Sequence, residues 1–202
     1  ITTNDDLRSW FGQARIGLQW LVQRAGPLAI GINQGGCFMR ALPQESATPD
    51  IQFHVATLSA DMAGGQVHPF SGMTMSVCQL RPQSRGHIRI RSNDPFEPPE
   101  IQPNYLATDF DRRTAVAAVR SARAIARSPA MRPLLRREVK PGPEAGDDDE
   151  ALLAFCRDHG ATIFHPSGTC KMGPADDPLA VLDERLRVRG VAGLRVVDCS
   201  AM

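Results

Sequence analysis

The order of the sequence patterns constrains the fold of this 202-residue chain more than any other feature. Alternating apolar and polar residues, typical of half-buried strands, cover residues 51–58, 73–80 and 87–91. Apolar residues at helical spacing follow them, over residues 109–127 and 148–160. Because these strands and helices do not alternate, the pattern of a doubly wound parallel sheet is missing. We predict an α+β fold, with an antiparallel β-sheet and helices packed on one face.

Residues 1–25 also carry a helical pattern, which Asn4 or Asp5 can cap and Gly26-Pro27 ends. Its apolar face comprises Trp10, Ala14, Gly17, Leu18, Leu21 and Val22. Glycine and proline punctuate residues 28–50, and glycines also mark residues 61–71, so both stretches are predicted to be connections. The short turn 82–86 favours pairing of its two flanking strands as an antiparallel hairpin.

The composition is that of an ordinary globular chain, with 42% hydrophobic residues and a net charge of +1. This charge balance argues against wholesale binding of nucleic acid, and no apolar stretch is long enough to be a transmembrane segment. The five cysteines are scattered and odd in number, which indicates reduced thiols and a cytoplasmic protein. Peripheral association of a longer parent protein with a membrane stays open.

Residues 111–140 hold nine lysines and arginines against Asp111 and Glu138. This segment could bind a polyanion as a non-catalytic interaction domain, or it could be a solvated surface beside the acidic run 144–150. We favour the solvated surface, because aromatic residues are not interleaved with the arginines.

The run Thr162-Ile-Phe-His-Pro-Ser-Gly-Thr-Cys-Lys-Met-Gly173 is the first candidate site. An apolar lead-in, which we expect to be buried, delivers His165, and Pro166-Ser167-Gly168 then forces a sharp turn. Rigid placement and a side chain that titrates near neutral pH suit a proton-transfer group. The alternative is a structural histidine that hydrogen-bonds the turn.

A zinc-binding module is a competing interpretation of the same region. Cys156, His159, His165 and Cys170 are all possible ligands, although their spacing matches no common zinc module. Nucleotide binding by the chain alone is not indicated, since none of its 17 glycines falls into a G-x-G-x-x-G fingerprint.

The second candidate site lies at the end of the chain. Residues 182–200 predict a short strand, a tight turn at Gly190–Gly193, and a buried strand that ends in Asp198. A carboxylate at the end of a buried strand either meets a ligand or caps the next element. The local sequence leaves both possibilities open.

Taken together, the two candidate sites resemble the C-terminal part of the glucose–methanol–choline (GMC) oxidoreductases. The ordered series His165–Gly173, Val181–Asp183, Leu186–Val191 and Gly193–Ser200 carries this resemblance, and its order is far more specific than any one piece. Weaker similarity extends upstream through the strands and the segment 101–106. The short Cys-Lys-Met-Gly version is most similar to the bacterial choline and alcohol dehydrogenase branch.

The resemblance implies a function for the whole of residues 1–202, as the substrate-binding C-terminal domain of an FAD-dependent enzyme. In this family a separate FAD-binding domain of the same chain holds most of the cofactor, and residues 193–202 would begin the segment that returns to it. The resemblance makes His165 the catalytic histidine, which takes the proton of an alcohol while hydride passes to the flavin. It assigns cofactor contacts to Asp198 and Cys199. No metal is implied.

The resemblance also sets limits on this stretch of chain. The family's second active-site residue, His or Asn, lies past the Asp-x-Ser segment and therefore beyond Met202, so we expect residues 1–202 alone to be inactive. The substrate is expected to be a small primary alcohol, with the pocket wall on the strand face of Gln52 and His54 or on that of Phe53 and Val55. The strands show neither an aromatic cage nor a carboxylate for a choline cation, which favours a neutral alcohol.

Overall fold

The computed structural model describes residues 2–61 and 65–202, so residues 62–64 of the predicted 61–71 connection lie outside the described residues. The α-helices are α1 (Thr3–Leu7), α2 (Trp10–Gln23), α3 (Asp109–Ala126) and α4 (Asp149–His159). The strands are β1 (Asn33–Met39), β2 (Ile51–Ala56), β3 (Thr74–Gln79), β4 (His87–Arg89) and β5 (Glu100–Gln102). All strand pairs are antiparallel, which confirms the predicted α+β class.

The chain divides into two compact units. The first unit comprises Ile1–Gln83 and Thr108–Asp158, and the second comprises Ser84–Ala107 and His159–Met202. The function of residues 1–202 as one substrate-binding domain stays a prediction.

The core of the first unit lies between its sheet and α3. The sheet has the order β1-β2-β3, and the central strand contributes Ile51 and Phe53, which are almost completely buried against Ala118 of α3. Because side chains alternate along a strand, Gln52 and His54 lie on the opposite face of the sheet. The face of Phe53 is therefore occupied by helix packing, as the predicted arrangement of helices on one face requires.

Helices α3 and α4 confirm the predictions for residues 109–127 and 148–160. Thr108, rather than the expected Asp109, caps α3, because its hydroxyl accepts a hydrogen bond from the Asp111 backbone N–H at 3.2 Å. The two helices form a second apolar cluster around the buried side chains of Val116, Val119 and Leu152.

The single helix predicted over residues 1–25 is wrong, because the segment forms α1 and α2. Thr2 caps α1 through a capping box with Asp5, and Ser9 starts a new helix by accepting from the Gly12 N–H at 2.9 Å. A Cβ on Gly12 would lie 2.3 Å from the Asp6 carbonyl oxygen, so only glycine permits this close approach. The predicted apolar face is largely exposed, with Trp10 at 80% and Val22 at 72%.

The predicted loop over residues 28–50 is also wrong, since it contains β1. Gly35 and Gly36 indicated a loop, yet they lie within this edge strand and pair with β2. A Cβ on Gly36 would lie 2.8 Å from the Phe53 carbonyl oxygen. Glycine here permits a close approach of two strand backbones rather than a turn.

The predicted hairpin between residues 73–80 and 87–91 does not form. Instead β3 pairs along its whole length with β2. In the second unit β4 pairs with β5. Met75 and Val77 of β3 pack against the core of the first unit.

None of the helices formed by residues 2–61 and 65–202 combines the length and the hydropathy needed to cross a lipid bilayer.

Candidate active site

The turn around His165 is held by residues with restricted backbones. The Thr162 hydroxyl accepts a hydrogen bond from the Phe164 N–H at 3.0 Å, and Phe164 takes an unusual φ of 60°. A bulky residue with positive φ is strained, and such strain concentrates at functional sites. Pro166 restricts the backbone of His165 to extended conformations, and Gly168 reverses the chain with φ of 85°. These features give the backbone of His165 few alternatives.

The chain after this turn runs beside the C-terminal segment of the second unit. The Cys170 N–H donates to the Ser200 carbonyl, and the Met172 N–H donates to the Ala201 carbonyl, both at 2.9 Å. A Cβ on Gly168 would lie 3.4 Å from the Met202 carbonyl oxygen. The two candidate sites of the sequence, residues 162–173 and the segment that ends in Asp198, are thus held side by side by backbone hydrogen bonds.

Leu182 is a buried residue that contacts both of these segments. It is completely buried, and it forms β-bridges with Met172 and Val188. Its carbonyl accepts from the Gly173 N–H at 3.2 Å, and its N–H donates to the Lys171 carbonyl at 3.2 Å. Leu182 therefore connects the chain that follows His165 to the chain that leads to Asp198.

Asp198 caps a short 3₁₀ helix, Cys199–Ala201. Its Oδ1 accepts from the Ser200 hydroxyl at 2.5 Å and from the Ser200 N–H at 2.8 Å. The bond from the Ser200 hydroxyl has the larger effect, and together with the bond from the Ser200 N–H it holds the pKa of the Asp198 carboxyl below its usual range. The capping interpretation of Asp198 is therefore correct, and the cap also fixes the backbone of Cys199.

The carboxylate of Asp183 stabilises the loop between these segments. It accepts from the Arg187 guanidinium at 2.7 Å and from the backbone N–H groups of Arg185 and Arg187, each at 2.9 Å. The Arg187 side chain and these N–H groups lower the pKa of the Asp183 carboxyl to about 2. Asp183 is therefore charged, and its hydrogen bonds are committed to its own loop.

Two expectations about burial are wrong. The lead-in to His165 is exposed rather than buried, with Phe164 at 81%, and His165 itself is exposed. The segment before Asp198 is also no buried strand: within residues 159–202, all of which are described, the pairings are isolated bridges, and Val197 is 73% exposed. These irregular segments leave several of their own apolar side chains exposed. The predicted turn at Gly190–Gly193 is present, and both glycines have a positive φ.

The zinc-binding alternative gains no support. In the described part of the chain no group of three or more histidine, cysteine, aspartate or glutamate residues is placed to hold a metal ion. Cys156, His159, His165 and Cys170 therefore do not converge as ligands.

The basic segment 111–140 is ion-paired, as the interpretation of a solvated surface predicts. At least five of its nine cations have acidic partners among the described residues. Arg123, the one in this group that is almost completely buried, bonds Glu138 at 2.9 Å and Asp147 at 2.8 Å. These pairs are Arg113–Glu45, Arg120–Asp149, Arg123–Glu138, Arg127–Asp147 and Lys140–Asp61.

Comparison with known proteins connects this geometry to a family. The model of the GMC oxidoreductase family matches residues 82–202, which include both candidate segments. This chain belongs to the GMC oxidoreductase family. Membership implies FAD as the cofactor, as the sequence predicted.

Relatives of this GMC oxidoreductase chain extend the similarity upstream. It is 40% identical over 193 residues to the oxygen-dependent choline dehydrogenase of Serratia proteamaculans, covering 96% of this chain and 34% of the relative. The oxygen-dependent choline dehydrogenase of Staphylococcus aureus is 42% identical over 188 residues, covering 93% and 33%. The chain thus spans about one third of the length of these relatives.

A solved structure shows the same fold. The R554A variant of formate oxidase from Aspergillus oryzae RIB40 superposes with a TM-score of 0.85 at 22% identity, covering 100% of this chain and 39% of that one. That variant concerns modification of FAD in formate oxidase.

The structure shows contacts in the GMC site that the sequence patterns did not reveal. The backbone pairing of residues 170–172 with residues 200–201 is non-local and leaves no periodic signal. The bond from Ser200 to Asp198 could have been found, because a serine two residues after an aspartate is a common Asx-turn arrangement. The roles of His165, Asp198 and Cys199 stay predictions.

Proposed function

We propose that this chain is the substrate-binding part of an FAD-dependent dehydrogenase that oxidises a primary alcohol to an aldehyde. The observation that carries the proposal is the exposed His165, held on a restricted turn beside the segment 198–202. The remaining length of the relatives leaves room for an FAD-binding domain, which we propose as a partner within the same polypeptide. The cytoplasmic location stays a prediction from the cysteine pattern.

The residues near the turn fit a flavin. The backbone N–H groups of Ser167, Gly168 and Cys199 donate to no group in residues 2–61 and 65–202, so they are available to acceptors. A flavin ring has carbonyl oxygens and ring nitrogens that accept such bonds, and Gly168 adds no side chain to obstruct them. We propose that Cys199, positioned by the Asp198 cap, contributes one of these donors.

His165 supplies the proton-transfer group in this proposal. In the described part of the chain its ring nitrogens have no hydrogen-bond partner, so a neutral imidazole can accept the proton of a substrate hydroxyl. Removing this proton leaves an alkoxide, whose electron pair favours departure of hydride from the carbinol carbon. FAD, when bound, supplies the two-electron acceptor for that hydride.

Asp198 does not compete with His165 as a base. Its Oδ1 accepts two hydrogen bonds from Ser200, and its pKa is lowered, so the carboxylate is a weak proton acceptor. We propose that it positions the Cys199 backbone instead. In this proposal His165 is the proton acceptor, and Asp198 is an anion that stabilises the neighbouring backbone.

The substrate is proposed as a small primary alcohol, with choline and a neutral alcohol as the two cases to compare. Choline enters because the relatives are choline dehydrogenases. The pocket wall on the strand face of Gln52 and His54 stays a prediction.

The test is turnover by the full-length protein with His165→Ala, using choline and its uncharged isostere 3,3-dimethylbutan-1-ol. We expect kcat to fall by about 10²–10⁴ with both alcohols, the usual contribution of a general base, while the flavin absorbance spectrum is retained. His87→Ala is the matched control, because His87 is a partly exposed histidine of the same unit that pairs with Glu100.

Two results would contradict the proposal. If the His165→Ala protein keeps kcat within about threefold of the parent value, His165 is not the general base. An equal loss in the His87→Ala protein would mean that any histidine substitution in this unit disturbs the enzyme. The ratio of kcat/KM for the two alcohols decides between a cationic and a neutral substrate.

A further inference from the structure

A group of arginines in the second unit lies outside the proposed active-site residues. Residues 185–195, here called the arginine loop, contain Arg185, Arg187, Arg189 and Arg195 and no acidic residue. All four are exposed. Asp183 and Glu184 lie immediately before the loop, and Asp198 lies three residues after it.

The arginines differ in how many donors they keep. Arg187 is committed to Asp183, which receives its Nε and Nη2 groups at 2.7 Å each. Arg189 uses Nη2 on the Gly173 carbonyl at 2.7 Å, and Arg195 uses Nε on the Arg185 carbonyl at 3.2 Å. A guanidinium has five N–H groups, so Arg189 and Arg195 are both oriented and still able to bind a ligand.

The backbone of the loop adds further donors. Gly193 has φ of 75° within a hydrogen-bonded turn formed by residues 191–194. The N–H groups of Ala192 and Gly193 have no acceptor within the described ranges of the chain, whereas the Leu194 N–H closes the turn. Residues 187–195 and Asp183 line an open cavity of about 650 Å³.

We propose that the arginine loop binds a phosphate group. The N–H groups of Ala192 and Gly193 are available as donors to an anion, and Arg189 and Arg195 supply fixed positive charge on the same loop. The carboxylate of Asp183 does not oppose the anion, because Arg187 neutralises it. The ligand is an inorganic phosphate, a soluble phosphate ester or a phospholipid headgroup, all of which present the same oxygen atoms.

The test uses the full-length, FAD-loaded protein and measures binding rather than turnover. Inorganic phosphate and pyrophosphate are titrated by calorimetry, with sodium chloride holding the ionic strength constant. The variant is Arg189→Gln/Arg195→Gln, and the matched control is Arg89→Gln/Arg91→Gln, which removes two exposed arginines elsewhere in the same unit. Sedimentation with phosphatidylcholine vesicles, with and without phosphatidylglycerol, separates a lipid source from a soluble one.

We expect saturable binding of phosphate or pyrophosphate that weakens about tenfold in the loop variant, since each exposed ion pair contributes a few-fold, and stays within about twofold in the control. Loop-dependent sedimentation with phosphatidylglycerol vesicles identifies a headgroup, and its absence beside retained phosphate binding identifies a soluble ligand. Equal weakening of phosphate binding in both double variants would show that only the net charge of the protein matters, and it would overturn the proposal. So would a parent protein that binds neither phosphate probe nor the anionic vesicles.

Discussion

Alanine at position 168 tests whether the turn around His165 is needed for catalysis or only for folding. Gly168 has φ of 85°, a region where an L-residue with a Cβ costs about 1–2 kcal/mol. Its Cβ would lie 3.4 Å from the Met202 carbonyl oxygen, which is a close contact but not a clash. The substitution therefore either keeps the turn at this cost or relaxes φ and moves the chain between His165 and Cys170.

Gly190→Ala is the matched control for Gly168→Ala. Gly190 has nearly the same φ, 78°, and a Cβ there would meet no atom within 4 Å. Both substitutions should lower the free energy of unfolding by a similar amount, about 1–2 kcal/mol, seen as a fall of a few degrees in Tm. Only Gly168→Ala moves the turn that carries His165.

We expect kcat of the full-length Gly168→Ala protein to fall about 10–100-fold, because displacing a catalytic group by about 1 Å can cost this much. Gly190→Ala should retain kcat near the parent value at the same FAD content. Equal kcat values for the two variants, with equal losses of stability, would show that the turn is structural. A larger loss of kcat in Gly190→Ala would show that catalysis depends on the turn at Gly190 and not on the turn that carries His165.

Two further predictions concern the scaffold. Phe53→Ala should lower the free energy of unfolding by about 3–5 kcal/mol in urea titrations. Phe38→Ala is the control, because Phe38 lies on the neighbouring strand and is 62% exposed, and it should cost less than about 1 kcal/mol. Similar losses in the two variants would mean that Phe53 does not lie in the core of the sheet. Because the folded pKa of Asp183 is about 2, below its usual value near 4, this carboxylate stabilises the fold above about pH 4, and the contribution is lost as pH falls towards 2. Asp183→Asn should flatten the pH dependence of the urea midpoint over that range. An unchanged profile would show that the Asp183–Arg187 contact does not contribute to stability.

The glycines of β1 show why part of the fold was not predictable from sequence patterns. A glycine pair usually marks a loop, and nothing local to Gly35-Gly36 distinguishes a turn from a close approach between strands. The distinction depends on the Phe53 carbonyl, which is contributed by another strand. Strands β2 and β3 were predictable, because their own alternating patterns record which side is buried.

The break between α1 and α2 was missed for a related reason. The predicted apolar face runs from Trp10 to Val22 and lies entirely after Ser9, so the residues before Ser9 were joined to this helix without an apolar pattern of their own. The deciding contact is between Gly12 and the Asp6 carbonyl, which is a consequence of the packing of one helix on the other. Ser9 is a favoured capping residue, and its position before Trp10 was the one available signal for a second start.

The motifs of the sequence propose residues for the candidate site, but they do not show how its two segments are assembled. His165, Asp198 and Cys199 follow from the ordered motifs of the family, and no periodicity identifies them. What motifs cannot supply is the pairing that holds residues 170–172 against residues 200–201, which requires the chain to return through Leu182. The exposure of Phe164 was also unpredictable, because an apolar lead-in has the same sequence whether or not it is covered.

The two interpretations of Asp198, a cap and a ligand contact, turn out to be compatible. As a cap, its Oδ1 is occupied by Ser200, and this directs the backbone into the 3₁₀ turn Cys199–Ala201. That turn presents the carbonyls of Ser200 and Ala201 to the N–H groups of Cys170 and Met172. The cap is therefore one source of the alignment between the C-terminal segment and the His165 turn. A carboxylate can thus contribute to a site by shaping the backbone, without touching the ligand itself.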